Sequence, residues 1–194
     1  MGKTAFANLV IAKLKAAVGS DGSLYTEQTP AKAQSAIAEA ITEYLITNTT
    51  ITISYAGVLT SGKGVDSVVQ DTMKITGTCG TTGRPSDYQS WVNKLQSAIA
   101  SAFSVVSPGT NGVEVAFLPF NPTTNVLQIS QEELNDTFQS NIDNPLQSVW
   151  EFICGQIIDW LNSTTGKNPS ATSLPATRTG ISTGTASLVS IVVS

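Results

Sequence analysis

The sequence predicts an α+β fold: several amphipathic helices packed on small antiparallel sheets, with an extended C-terminal arm. Three observations carry this. Apolar residues recur at helical spacing in separate segments with recognisable start and stop signals. Between them lie Thr-, Ile- and Val-rich stretches that alternate polar with apolar. Residues 29–48, an Ala-rich helix, run into a strand from residue 50 with almost no linker, and weaker versions of this helix-then-strand unit recur twice further on.

The first helix is predicted over 4–18, with Thr4 as cap, Phe6, Leu9, Val10, Leu14, Ala17 and Val18 on one face, and Gly19 as the stop. Ser20-Asp21-Gly22-Ser23 is turn chemistry. A calcium loop there lacks its sixth-position Gly and twelfth-position Glu. The second helix opens at Thr29-Pro30, a capping residue followed by a proline suited to the first helical position. Ala33, Ala36, Ile37, Ala40, Ile41, Tyr44 and Leu45 make its stripe, and the alanines permit close approach of a neighbouring element. Ile51, Ile53 and Tyr55 then alternate with Thr50, Thr52 and Ser54, the pattern of a half-buried strand. Residues 60–64 (TSGKG) are a loop tip and 65–78 return to strand, giving a hairpin over 50–78.

A second glycine-rich turn, GTCGTTGRP at 77–85, precedes a third helix over 86–104. Ser86 is its expected cap, and Trp91, Val92, Leu95, Ala98, Ile99, Ala102 and Phe103 form its face. Val113 to Phe120 reads as a strand and 126–129 as a short extended piece. Ser130 to Glu133 fits a capping box before a short helix ending near Ile142. Asn144-Pro145 opens the most apolar helix, to Leu161, expected to lie at the centre of the core. Residues 163–194 change composition sharply to Ser, Thr, Gly, Pro and small apolars, with Lys167 and Arg178 as the charges. Residues 163–180 read as disordered or extended. Ala186 to Val193 reads as a strand that either completes the chain's own sheet or augments a neighbour's. The organisation predicted is a compact unit over 1–162, with a candidate sub-boundary near 80–86, and a Ser/Thr-rich arm over 163–194.

Composition narrows the function. Of the 194 residues, 41% are apolar, enough for a core, but only 12% are charged, about half the usual share. Ser and Thr fill that place with about a quarter of the chain. A polar, weakly charged surface suits a subunit packed against others, where a buried Lys or Glu would be costly. A secreted or surface-exposed binding module is the competing reading. A net charge of −4 with scattered basic residues argues against a nucleic-acid surface. No apolar run is long enough to span a membrane. The N-terminal stretch reads as an amphipathic helix and not as a signal peptide, because Lys13 and Lys15 interrupt it.

No set of residues amounts to an active site, so no catalytic, cofactor-binding or metal-ligating residue is assigned, and no small-molecule substrate. The chain has no histidine, which removes the commonest general base and metal ligand together. Gly-Lys in 61–64 lacks phosphate-loop spacing. Cys79 sits among glycines, where only Arg84 or the third helix's start offers the setting a nucleophilic thiol needs. A small hydrolase using Cys79 is therefore the weaker alternative. Cys79 and Cys154 are expected to be unpaired. Glu39 and Glu43 share a helix face at i, i+4, the spacing of a paired acid site and also of an ordinary solvated face. Trp91, Trp150 and Trp160 fall on core faces.

The run Ala36-Ile37-Ala38-Glu39-Ala40-Ile41-Thr42-Glu43-Tyr44-Leu45, followed by the Thr50–Leu59 strand and the Gly62 and Gly64 tip, resembles small structural proteins of tailed-bacteriophage virions. The resemblance covers about 35 residues. It implies an assembly component of the virion (capsid decoration, neck or tail-associated) whose partners are other virion proteins and repeated copies of itself, with no catalytic residue. The expected contact surfaces are the 60–64 loop, the 107–125 region and the arm from 163.

Overall fold

The computed structural model describes residues 2–19, 29–106 and 108–194. The turn expected at 20–23 lies outside them. The α+β fold holds: among the described residues, five helices pack with a five-stranded antiparallel sheet and a separate two-stranded one.

Helix α1 (Gly2–Val18) begins before Thr4, so Thr4 is an interior residue and not its cap. Helix α2 (Thr29–Asn48) passes directly into β1 (Thr49–Leu59). Phe6 of α1 stacks on Tyr44 of α2 with ring centroids 4.2 Å apart, and the single proton of the Tyr44 hydroxyl lies between the backbone oxygens of Gly2 and Ser194. β2 (Val65–Met73) completes the expected hairpin and β3 (Ile75–Gly77) follows. Helix α3 (Tyr88–Ala102) passes directly into β4 (Phe103–Val105), a second junction without a linker. Its cap is Asp87 and not Ser86: the Asp87 carboxylate accepts from the Ser90 N–H at 2.9 Å, while the Ser86 hydroxyl supports that carboxylate. A carboxylate is the stronger acceptor at a helix N-terminus.

The strand expected over 113–120 shrinks to β5 (Val113–Glu114). Pro119 and Pro122 lack ladder donors, and the segment changes partners as it goes. Phe117 bridges Val105, Phe120 bridges Lys167, and Asn121 donates to Gly166 O. Residues 126–129 join no ladder. Instead the wholly buried Gln96 of α3 accepts from the N–H groups of Val126 and Leu127 at 3.0 and 2.8 Å and donates to Thr123 O. Helix α4 (Gln131–Ser140) is capped by the Ser130 hydroxyl, as expected, and α5 (Pro145–Asn162) follows a short turn.

β6 (Leu174–Arg178) and β7 (Ser182–Val193) come from the segment read as an arm. It completes the chain's own sheet: the strand order is β2-β1-β7-β6-β5, so β7 lies between β1 and β6 in the middle. Ala186, Leu188, Ile191 and Val193 are buried there. Its Ser/Thr content supplies the opposite face, where alternation puts polar groups in solvent. The core also differs from expectation. Its largest wholly buried side chains, Phe6, Phe103, Phe120, Ile41 and Leu45 among them, come from outside α5. That helix packs one flank of the core, through Ile153, Ile157 and Leu161, with Leu146 exposed.

Candidate functional site

The residues singled out in the sequence do not converge. Cys79 follows β3 and is buried. Its N–H donates to Thr42 Oγ1 at 2.8 Å, and burial pushes the thiol up to about 12. A nucleophilic cysteine needs the opposite shift. Cys154 is wholly buried on α5, also with its thiol raised by burial, and both cysteines are free. Glu39 and Glu43 straddle Lys13 of α1 at 3.9 and 3.0 Å, so they link α1 to α2. The 61–64 tip is a turn with Gly62 and Gly64 at φ 72° and 110°. Trp160 is buried, and Trp91 and Trp150 are half-buried against the core. Among the described residues no cluster of His, Cys, Asp or Glu could hold a metal ion.

What the structure does bring together is a pair of polar cross-links that the sequence reading missed. The first spans four strands. Asp66 (β2) accepts from Arg178 (β6) at 2.7 Å and from the Ser182 hydroxyl (β7) at 2.5 Å, and Ser182 shares a 2.8 Å hydrogen bond with Tyr55 (β1). β2 and β6 are separated by two strands, about 14 Å in a flat sheet. The pair closes because the sheet curls. Register shifts at Thr52/Ile53 toward β7 and Ile53/Tyr55 toward β2 supply the bend. Gly57 and Gly184, paired across β1 and β7, leave a trough: a Cβ on Gly57 would stand 2.3 Å from the Tyr55 hydroxyl and 2.6 Å from Thr183 O.

The second cross-link closes the curl. Asp71 of β2 is wholly buried and accepts from the Thr110 hydroxyl and Asn111 N–H, both at 2.7 Å, and from Val113 N–H of β5 at 3.1 Å. Thr110 N–H also donates to Thr72 O at 3.2 Å, and Asn111 Nδ2 to Gln70 O at 3.0 Å. The two edge strands of the sheet are thus joined through the loop between them. Burial acts to raise the Asp71 pKa, but the hydrogen bonds from Thr110, Asn111, Val113 and Thr72 outweigh it and hold the carboxyl below its ordinary value. A Cβ on Gly109 would fall 2.5 Å from this carboxylate, so only glycine lets the loop pass so close. An acid inside a strand, as in DSVVQD at 66–71, was the available signal. It is a weak one, because an edge strand commonly carries acids to solvent.

With its polar groups cross-linked inside, the sheet presents an outer face of a distinct kind. Across β2, β1, β7 and β6 the outward positions carry Thr, Ser, Val, Ala, Gln and Pro and not one charged residue. Val58 and Val65 face each other there, 54% and 84% exposed, and Val69 is 81% exposed. Charge returns only at the margin, with Glu114 on β5. A soluble surface normally intersperses Lys, Arg, Glu and Asp, and their absence from a four-strand face favours association there. Comparison of the chain with protein-family models, with curated proteins and with solved structures gives no match.

Proposed function

We propose that the chain is a structural component of a bacteriophage virion, a capsid decoration, neck or tail-associated subunit that acts through protein–protein contacts, in part with further copies of itself. The charge-free outer sheet face carries this reading. Two copies meeting there bring no like charges together and desolvate no ion, so a self-contact costs little electrostatically. The strand lengths give roughly 600 Å² of face, at about 3.3 Å per residue and 4.8 Å between strands. The curl keeps part of that from any one neighbour, so a single contact falls short of the ~1,200 Å² typical of a stable pair. Repetition in a particle supplies the rest, since tethered copies bind at high effective concentration. The buried, protonated Cys79 weighs against the hydrolase alternative.

The virion reading is tested by immuno-electron microscopy of particles from the phage that encodes the chain. Antibody against the purified protein should label intact particles at regular positions, and particles free of the protein would overturn the assignment. The sheet face is tested separately. Thr52→Lys with Thr185→Lys places charges on two central strands without touching the core. Analytical ultracentrifugation at high protein concentration should show weaker self-association with an unchanged melting temperature.

A further inference from the structure

We propose that the corner between α4 and α5 is a docking face for a basic amphipathic helix of another protein, distinct from the sheet face and from any contact between like copies. Helix α4 has no buried residue. Leu134 rests half-buried against the core, but Phe138 in its last turn is 56% exposed. Ile142 in the following turn is 82% exposed and Leu146 in the first turn of α5 is 46% exposed. The three exposed apolar side chains fall at the end of α4, in the connecting turn and at the start of α5, and Asn141 of that turn donates a 2.5 Å hydrogen bond to Ser148 of α5. A ten-residue helix is too short to persist on its own propensity. Here an amphipathic one keeps Phe138, one of its two large apolar residues, in water while Leu134 rests on the core.

Charge identifies the occupant. Residues 131–162 hold six of the chain's 14 acidic residues and none of its ten basic ones. Glu132, Glu133, Asp136 and Asp143 are exposed around the apolar corner, and among the described residues none of the six is ion-paired. Two such corners would repel each other, so this face does not pair with itself. Nucleic acid and anionic lipid are repelled in the same way. A helix with Lys or Arg flanking an apolar stripe meets both requirements, with the stripe on Phe138, Ile142 and Leu146 and the cations on the acidic rim. The face follows from the surface alone and stands whether or not the assembly is a virion.

The test uses the full chain and three peptides of equal length: an amphipathic Leu/Lys helix, its Leu/Glu counterpart and oligolysine. Titration calorimetry should show binding of the Leu/Lys helix, no binding of the Leu/Glu helix, and at least tenfold weaker binding of oligolysine. Phe138→Ser with Ile142→Ser should weaken the Leu/Lys helix at least tenfold while the melting temperature is retained. Asp136→Asn with Asp143→Asn, which keeps the apolar corner, should weaken it too and flatten its salt dependence. Equal binding of the Leu/Glu helix, equal binding of oligolysine, or wild-type affinity in either variant would overturn the proposal.

Discussion

Two carboxylates cross-link the sheet, Asp66 and Asp71, and the Asp71 contribution can be read by pH and by substitution. Asp71 is buried and satisfied by three hydrogen bonds, two from the loop before β5 and one from the first residue of β5. Asp71→Asn turns one acceptor into a donor facing backbone N–H groups, so about 3 kcal/mol of stability should be lost, or roughly 10 °C in melting temperature for a chain of this size. Because the folded carboxyl titrates below its ordinary value, its contribution is complete above about pH 4, the unfolded pKa. It drains away as pH falls through the depressed folded value. Urea titrations at pH 7 and in acid should therefore show the gap between wild type and Asp71→Asn closing on acidification. A gap independent of pH would mean that the carboxylate's charge is not what holds the loop. The glycine trough is a second residue-scale test. A Cβ on Gly184 would lie 2.1 Å from Ala56 O, a backbone atom that cannot rotate away. Gly184→Ala should cost about 3 kcal/mol by forcing β1 and β7 apart, whereas alanine at Gly180, where nothing lies within 4 Å, meets only the strain of its φ of 75°.

At the scale of elements, the helices and β1 were legible because each carries its own instructions. The bounds of α2, from Thr29 to Asn48, follow from a Thr-Pro start and a continuous stripe, although Thr29, expected as the cap, is already helical, and the alternation of β1 fixes which face is buried. Elements defined by distant partners were not legible. Residues 126–129 look extended, yet the N–H groups of Val126 and Leu127 go to the side-chain carbonyl of Gln96, a polar residue on the buried face of α3 between Val92 and Ile99 whose partners lie 30 and 31 residues away. Within 163–194, read as a polar arm because Ser and Thr dominate it, the strand over Ala186–Val193 was legible, but its start at Ser182 and the strand Leu174–Arg178 were not. Alternate small apolars, Ala186 and Leu188 among them, reveal a buried face only once β1 is alongside. The consequence is measurable. A low-charge arm used only for assembly could be removed to leave a folded monomer, whereas the strand at the sheet's centre cannot. Deleting 182–194 should abolish cooperative unfolding and open the chain to limited proteolysis throughout. A truncated chain that still melts cooperatively would show that the other strands close the sheet without β7.

For the molecule as a whole, charge is sorted by surface and not merely scarce. The sequence showed the scarcity, but composition is blind to which face a residue reaches. The neutral sheet face appears only when register places the Ser, Thr and Val of four separate strands side by side. The acidic corner could be counted along 131–162, but the exposure of Phe138, Ile142 and Leu146 beside it could not. Two surfaces built on opposite principles should respond oppositely to salt. Contacts between neutral β faces rest on apolar burial and hydrogen bonds, so raising sodium chloride from about 0.05 to 0.5 M leaves them intact or slightly tighter. A basic helix on the acidic corner is held partly by charge and weakens over the same range, as the Debye length falls from above to below about 10 Å. Self-association followed by sedimentation, and peptide binding followed by calorimetry, should therefore diverge across one salt series. If both fell together, the copies would be associating through oppositely charged groups elsewhere and not through the neutral sheet face.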